Sequence, residues 1–264
     1  MLGIEIGTFF LLFGLATVIG FAASLLGIGG GIFMTPLLLL GGFVATQPEA
    51  AGTSIAAVVF TGLSASIAYI RRRAIDVRTG LVFMGPAIAG VFAGYAIGNV
   101  VDAGWLTIAF GVFLLYPMGV MLTGRSSKDV HAHIEKTSSG VRFYVLAAIL
   151  GLIAGTVTKL FGIGGGTVFV PSLVVFLGFD IVTAVATSLF VMLPTALIGS
   201  VLSYAQGTLH FEYALPLILG IVIGAQIGPI FGRRIPKRRL RQAFSLVLLY
   251  AAVNMILKGI HAVG

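Results

Sequence analysis

The sequence predicts an all-α integral membrane protein, an inverted repeat of two four-segment halves, each a glycine-broken helical hairpin plus three spans. Three observations carry that prediction. The chain is 58% hydrophobic and 9% charged, with a mean hydropathy of +1.12 over 264 residues. That is more apolar surface than one core of this size can bury, so lipid must cover the rest. The stretch Gly27-Ile28-Gly29-Gly30-Gly31, followed by Pro36, returns 135 residues later as Gly162-Ile163-Gly164-Gly165-Gly166, followed by Pro171. Finally, Lys and Arg gather in short clusters between apolar runs, the pattern of membrane flanks and not of a nucleic-acid surface, despite the net charge of +8.

Apolar runs of about 17–25 residues read as spans near residues 50–70, 79–98, 104–123, 181–203, 212–232 and 241–260. Two longer runs, 6–42 and 143–178, each contain a glycine cluster. If each run crossed once, Arg71, Arg72, Arg73 and Arg78 would face away from Arg125, Lys128, Lys136 and Arg142, against the positive-inside rule. If each enters and returns as a hairpin, the loops 71–78, 124–142 and 233–241 share one side. That side then holds 14 of the 16 Lys and Arg, leaving Lys159 and Lys258 elsewhere. The expected topology puts those loops in the cytoplasm, with Arg72, Ser127 and Lys237 among them, and both termini outside. A hairpin and three spans make an odd number of crossings, so the halves are expected to be inverted. The organisation is a first membrane repeat (1–123), a polar cytoplasmic linker (124–141) and a second repeat (142–264). The N-terminal run has no basic residues ahead of it and no A-x-A site, so it reads as a retained span rather than a signal peptide.

The repeat extends past the glycines. Thr53-Ser54 matches Thr187-Ser188, Thr61 matches Thr195, Ser66 matches Ser200 and Tyr116 matches Tyr250, each 134 apart. Pro86, Gly90, Gly94 and Gly98 match Pro216, Gly220, Gly224 and Gly228 at 130. Glycines four apart lie on one helix face, where small residues let backbones approach.

Glycine-interrupted helices in matching positions of two halves point to a transporter's binding site. Helices starting after Gly31 and Gly166 would turn free N–H groups and positive dipole ends toward an anion, so Gly29, Gly30, Gly31, Gly164, Gly165 and Gly166 are candidate ligands. The plainer reading is that they only permit a tight hairpin. Lys159 stands where the first copy has Ser24, and an intramembrane charge is costly without a partner. No carboxylate is expected at its depth, so an anionic ligand is the natural partner, against the alternative that the lysine snorkels to the surface. Thr53, Ser54, Thr187 and Ser188 could donate to the anion or cap helices. Gln226 and Asn254, without polar counterparts in the first half, suit an asymmetric substrate or an interhelical hydrogen bond. Trp105 reads as an interface anchor.

No cysteine is present, which excludes disulfides and Cys-ligated metals. The four histidines, His131, His133, His210 and His261, are scattered, and neither a metal nor a cofactor is expected. The glycine cluster has neither the spacing of G-x-G-x-x-G nor a terminal Lys-Ser/Thr, and H-E-x-x-H and G-x-S-x-G are absent, so an enzyme is not expected.

The paired segments Leu26-Gly27-Ile28-Gly29-Gly30-Gly31-Ile32-Phe33-Met34-Thr35-Pro36 and Phe161-Gly162-Ile163-Gly164-Gly165-Gly166-Thr167-Val168-Phe169-Val170-Pro171 resemble the signature of the sulfite exporter TauE/SafE family. The resemblance extends to length, duplicated halves and polar linker. It implies a transporter in the cytoplasmic membrane for small sulfur-containing anions, such as sulfite, sulfonates including sulfoacetate, or thiosulfate, moved with or without protons. The glycine-flanked tips would form its site. The expected activity is export by alternating access, with an anion channel or an uptake carrier for thiosulfate or other oxyanions as the alternative. The expected partners are the anion and membrane lipid, not nucleic acid.

Overall fold

The computed structural model describes residues 5–26, 29–71, 73–123, 140–231 and 237–263. Gly27, Ile28, Arg72 and linker residues 124–139, with Ser127, His131 and His133, lie outside them. The described residues contain no strand. The helices are α1 (Ile6–Leu26), α2 (Gly31–Leu40), α3 (Gln47–Arg71), α4 (Val77–Val100) and α5 (Ala103–Thr123), then α6 (Val141–Phe161), α7 (Gly166–Pro171), α8 (Ile181–Ala205), α9 (Phe211–Phe231) and α10 (Lys237–Val263). A π-helical turn, Ser172–Phe176, prolongs α7.

Local chemistry sets several boundaries. Asp76 accepts from the Thr79 N–H at 3.0 Å and Asp180 from those of Val182 and Thr183 at 3.1 Å, capping α4 and α8. α6 stops at Gly162, which is left-handed (φ 68°) and returns its N–H to the Thr158 carbonyl.

Both long glycine-containing runs are broken as expected, with unequal arms. α1 and α6, 21 residues each, are about 31 Å long, enough to cross a hydrocarbon core alone. α2, at 10 residues, reaches about half as far. Among the described residues, six helices are long and apolar enough to span a membrane, and α1 and α6 are two of them. α3 is not among them: Thr53, Ser54, Thr61 and Ser66 on it are buried in protein, while Phe60, Leu63, Ile67 and Ile70 leave an exposed apolar face on its second half.

The glycine contacts fix helix directions. On α6, Gly151 abuts Phe83 and Gly155 abuts Ala87, while Gly90 and Gly94 of α4 abut Leu152 and Thr156, so the two helices run parallel. α1 and α9 are parallel in the same way, through Gly220 on Phe13 and Gly224 on Thr17. α3 and α8 are antiparallel: Gly52 lies at Ser203, Gly199 at Ile55, and Ser66 Oγ donates to the Leu189 carbonyl. α5 and α10 are antiparallel, with Gly104 at Val263 and Gly111 at Ile256. Equivalent helices of the two halves therefore point in opposite directions, compatible with the inverted repeat expected from the sequence.

These contacts also correct one register. Gly155 rests on the Ala87 carbonyl and its counterpart Gly20 on that of Ile221; Gly90 rests on Leu152 and Gly224 on Thr17. The spatial equivalents in α4 and α9 are thus 134 apart, like the rest of the repeat, and not 130. A glycine every fourth residue looks the same after sliding one turn, so the sequence pattern could not separate the two registers.

All helix ends bordering the basic segments 71–78, 124–142 and 233–241 fall at one end of the bundle, the basic end. The other, acidic end carries Glu49, Asp102 and Glu212 beside the starts of α3, α5 and α9.

Candidate functional site

Midway along the bundle the two short helices begin against each other. The four preceding glycines are left-handed, with φ of 78° at Gly29 and Gly30, 75° at Gly164 and 71° at Gly165, a region where only glycine is at ease. Both clusters close the same way. Gly31 N–H donates to the Gly29 carbonyl and Phe33 and Met34 N–H to that of Gly30; Gly166 repeats this with Gly164, and Val168 and Phe169 with Gly165. Gly31 abuts Gly162 and Ile163, so that any Cβ there would collide with the facing backbone.

What fills the meeting point is apolar. Val58 of α3 and Met192 of α8, themselves 134 apart, touch both clusters: Met192 Sδ would stand 3.2 Å from a Cβ at Gly29 and 2.8 Å from one at Gly164, and Val58 presses on Gly31 and Gly164. Ile163 and Ile221 complete the plug, and all four are fully buried. In this conformation both helix starts are sealed, which describes an occluded centre. A crevice of about 440 Å³ lies elsewhere, between α1, α2 and α10, and is lined by groups such as Leu15, Phe33 and Phe244; it offers an anion no charged group.

Thr53 and Thr187 are fully buried and do not face the plug. Thr53 Oγ1 accepts from the His210 N–H at 3.1 Å, and Thr187 Oγ1 from the Asp76 N–H at 3.0 Å. Both partners, again 134 apart, lie just before α9 and α4. Each strap joins one half to the other, the first at the acidic end and the second at the basic end. Ser54 donates to the Gly162 carbonyl at 2.8 Å, and Thr35 beside it donates to that of Phe161 at 2.9 Å, tying α2 and α3 to the second hairpin. Ser188 returns its hydroxyl to the Val185 carbonyl. Gln226 donates to Ser64 Oγ at 2.6 Å, an α9–α3 bond; Asn254 bonds the Tyr250 carbonyl within its own helix.

Lys159 is not with the glycines of the plug. It is the nineteenth residue of α6, about 27 Å from the helix start at the basic end, near the acidic end of the bundle. It does not snorkel either: only 8% of it is exposed. Its Nζ donates to Ser203 Oγ at 2.8 Å and to Gln206 Oε1 at 2.9 Å, with the Tyr95 ring 6.0 Å away. Gln206 in turn donates to Asn99 Oδ1.

Sequence reasoning missed Thr35, Gln47, Asn99, Ser203 and Gln206. Gln47 Nε2 donates to the Leu160 carbonyl at 2.9 Å. Lys258 was left over by the charge pattern; it donates to the Leu39 carbonyl at 2.9 Å, where a cation suits the C-terminal end of α2. Only Val58 and Met192 carried a usable signal, the repeat offset.

Two half-helices meeting start to start inside a duplicated helical bundle is the arrangement expected of a transporter core, and residues 12–255 match the sulfite exporter TauE/SafE family. The chain belongs to that family. Similar proteins include the probable membrane transporter YunE of Bacillus subtilis, 29% identical over 97% of this chain and the whole of its own length. A probable membrane transporter of Xylella fastidiosa is 30% identical over 90% of this chain and 91% of its own. Another, from Methanocaldococcus jannaschii, is 26% identical over 91% and 92%. As a TauE/SafE member the chain is a multi-pass membrane transporter, and the family match covers both half-helices and both straps.

Proposed function

We propose that this TauE/SafE protein is a secondary carrier that exports a small sulfur-containing anion, sulfite or an organosulfonate such as sulfoacetate, across the cytoplasmic membrane by alternating access. The observation that carries this reading is the meeting of α2 and α7 at mid-bundle behind a plug of Val58 and Met192. Once the plug parts, the helix starts after Gly31 and Gly166 present N–H donors and positive dipole ends to one anion from opposite sides. The basic end faces the cytoplasm by the charge rule, and both chain termini face outward. The paired straps support alternation: each ties the halves at one end, so opening either end costs one of them. Hydroxyls of Ser54 and Ser188, close in sequence to the straps, join the site only after repacking.

Flux in proteoliposomes tests the reading. Saturable transport of sulfite or sulfoacetate that accelerates with unlabelled anion on the far side is the expected result. Large unitary currents would make the protein a channel, and flux of thiosulfate alone, inward, would make it an uptake system.

A further inference from the structure

We propose that Lys159, with Ser203, Gln206 and Asn99, forms a second anion station at the acidic mouth, separate from the plugged centre and loaded before or after it. This rests on the carrier reading above. A buried ammonium needs a counter-charge or a dense set of hydrogen bonds. Lys159 has two neutral acceptors and the face of Tyr95, and no ion pair to it occurs among the described residues. The carboxylates of this end are engaged elsewhere: Glu49 Oε2 accepts from the Ala45 and Thr46 N–H groups and lies 3.7 Å from His210 Nε2, Asp102 accepts from the Gly104 N–H at 2.7 Å, and Glu212 lies 3.4 Å from His210 Nδ1. The positive charge is therefore uncompensated.

The surroundings are those of a collapsed polar mouth. A cavity of about 20 Å³ beside Lys159 is bounded by Pro48, Gly94, Tyr95, Gly98, Leu106 and Gln206. That is the space of about one water molecule. Gly94 and Gly98 keep part of the α4 side of it bare, beside the Tyr95 ring. Gln206 and Asn99 are linked to each other and reach toward the end of the bundle, so a modest swing of their amides would enlarge the cavity and turn their N–H groups inward. A compact oxyanion would then bond to Nζ, the Ser203 hydroxyl and those amides. The Lys159 backbone is level with Gly165, which packs on Thr158, but its ammonium is held by Ser203, eleven residues beyond Met192 on α8 and so about 16 Å along that helix from the plug; one ammonium cannot serve both places at once.

Separate stations predict a one-sided effect. The protein is reconstituted with its orientation read from a cysteine introduced at the exposed Val100, and methanesulfonate is offered at one face at a time. Lys159→Met should raise the half-saturating concentration at the acidic face about tenfold to a hundredfold, the size expected for loss of a charge-assisted contact. At the basic face it should change less than threefold. Lys159→Gln keeps neutral hydrogen bonding to Ser203 and Gln206 and should fail like Met, while Lys159→Arg should recover most of the affinity. Equal weakening at both faces would put Lys159 in the central site and overturn the proposal. So would no weakening at either face, or rescue by Gln, which would make the lysine a tie between α6 and α8. Repeating the assay in bilayers without phosphate-bearing lipid separates a free anion from a lipid headgroup: one-sided loss confined to phospholipid bilayers would identify the occupant as lipid and also overturn it. No saturable methanesulfonate flux in the wild type, with sulfite and sulfoacetate also inert, would instead fail the carrier reading.

Discussion

The two halves share their mechanical parts and differ in their charged ones. Left-handed glycines, paired Val58 and Met192, strapping threonines and parallel glycine-packed helix pairs all recur at an offset of 134 or 135 residues. Lys159, Gln206 and Asn99 have no such echo: their counterparts in sequence are Ser24, Arg72 and Arg233. On the proposed carrier reading, the comparison separates what moves from what selects. A device that must open at either end needs matched straps and a two-sided plug, whereas a substrate with one charged end and an outside that differs from the inside needs no symmetry.

The largest expected effect comes from filling the matched glycines. A side chain at Gly30 would meet Ile221 Cδ1 at 2.5 Å, and one at Gly165 would meet Thr158 Oγ1 at 2.7 Å, both at positive φ. Gly30→Leu and Gly165→Leu should each abolish transport. Normal flux in a monodisperse variant of either would break the equivalence of the two tips.

Packing glycines should follow. Gly155→Ala and Gly20→Ala drive a methyl into the carbonyls of Ala87 and Ile221, and overpacking of this kind costs about 1–3 kcal/mol. Gly14→Ala meets open space and should be neutral or slightly stabilising. Thermal unfolding in detergent measures the three, and similar losses at positions 155 and 20 would sharpen the 134-residue register over the 130-residue one.

Smaller but opposite effects are expected at the straps. Thr53→Val and Thr187→Val each delete one buried hydrogen bond between halves, worth about 0.5–1.5 kcal/mol, or a twofold to tenfold population shift. The first should favour opening at the acidic end, the second at the basic end, as read by labelling of cysteines introduced near each mouth. Shifts in the same direction would remove the straps from gating. Gln226→Ala, losing one exposed bond to Ser64, should change stability by under about 1 kcal/mol.

Much of this was legible in the sequence for definite reasons. Glycine triplets interrupt apolar runs visibly, and basic clusters mark helix ends, so both broken segments and the grouping of the loops could be read directly. Register in α4 and α9 could not, because a four-residue glycine period is unchanged by a one-turn slide. Nor could the partners of Thr53 and Thr187, which lie 157 and 111 residues away and are backbone N–H groups without a residue-type signature. Lys159 looked central because it precedes the glycines by three residues. The chain spends those residues finishing a full-length α6 before turning back, which leaves the lysine at the end of the bundle.

The central claim, that inverted halves alternately expose one anion site between α2 and α7, is tested most directly at Val58. The chain has no cysteine, so Val58→Cys places a single reporter in the plug. In proteoliposomes the thiol should react with a membrane-impermeant reagent supplied from either face, and sulfoacetate should slow both reactions. Labelling from one face only, or at rates that sulfoacetate leaves unchanged from both faces, would contradict the account.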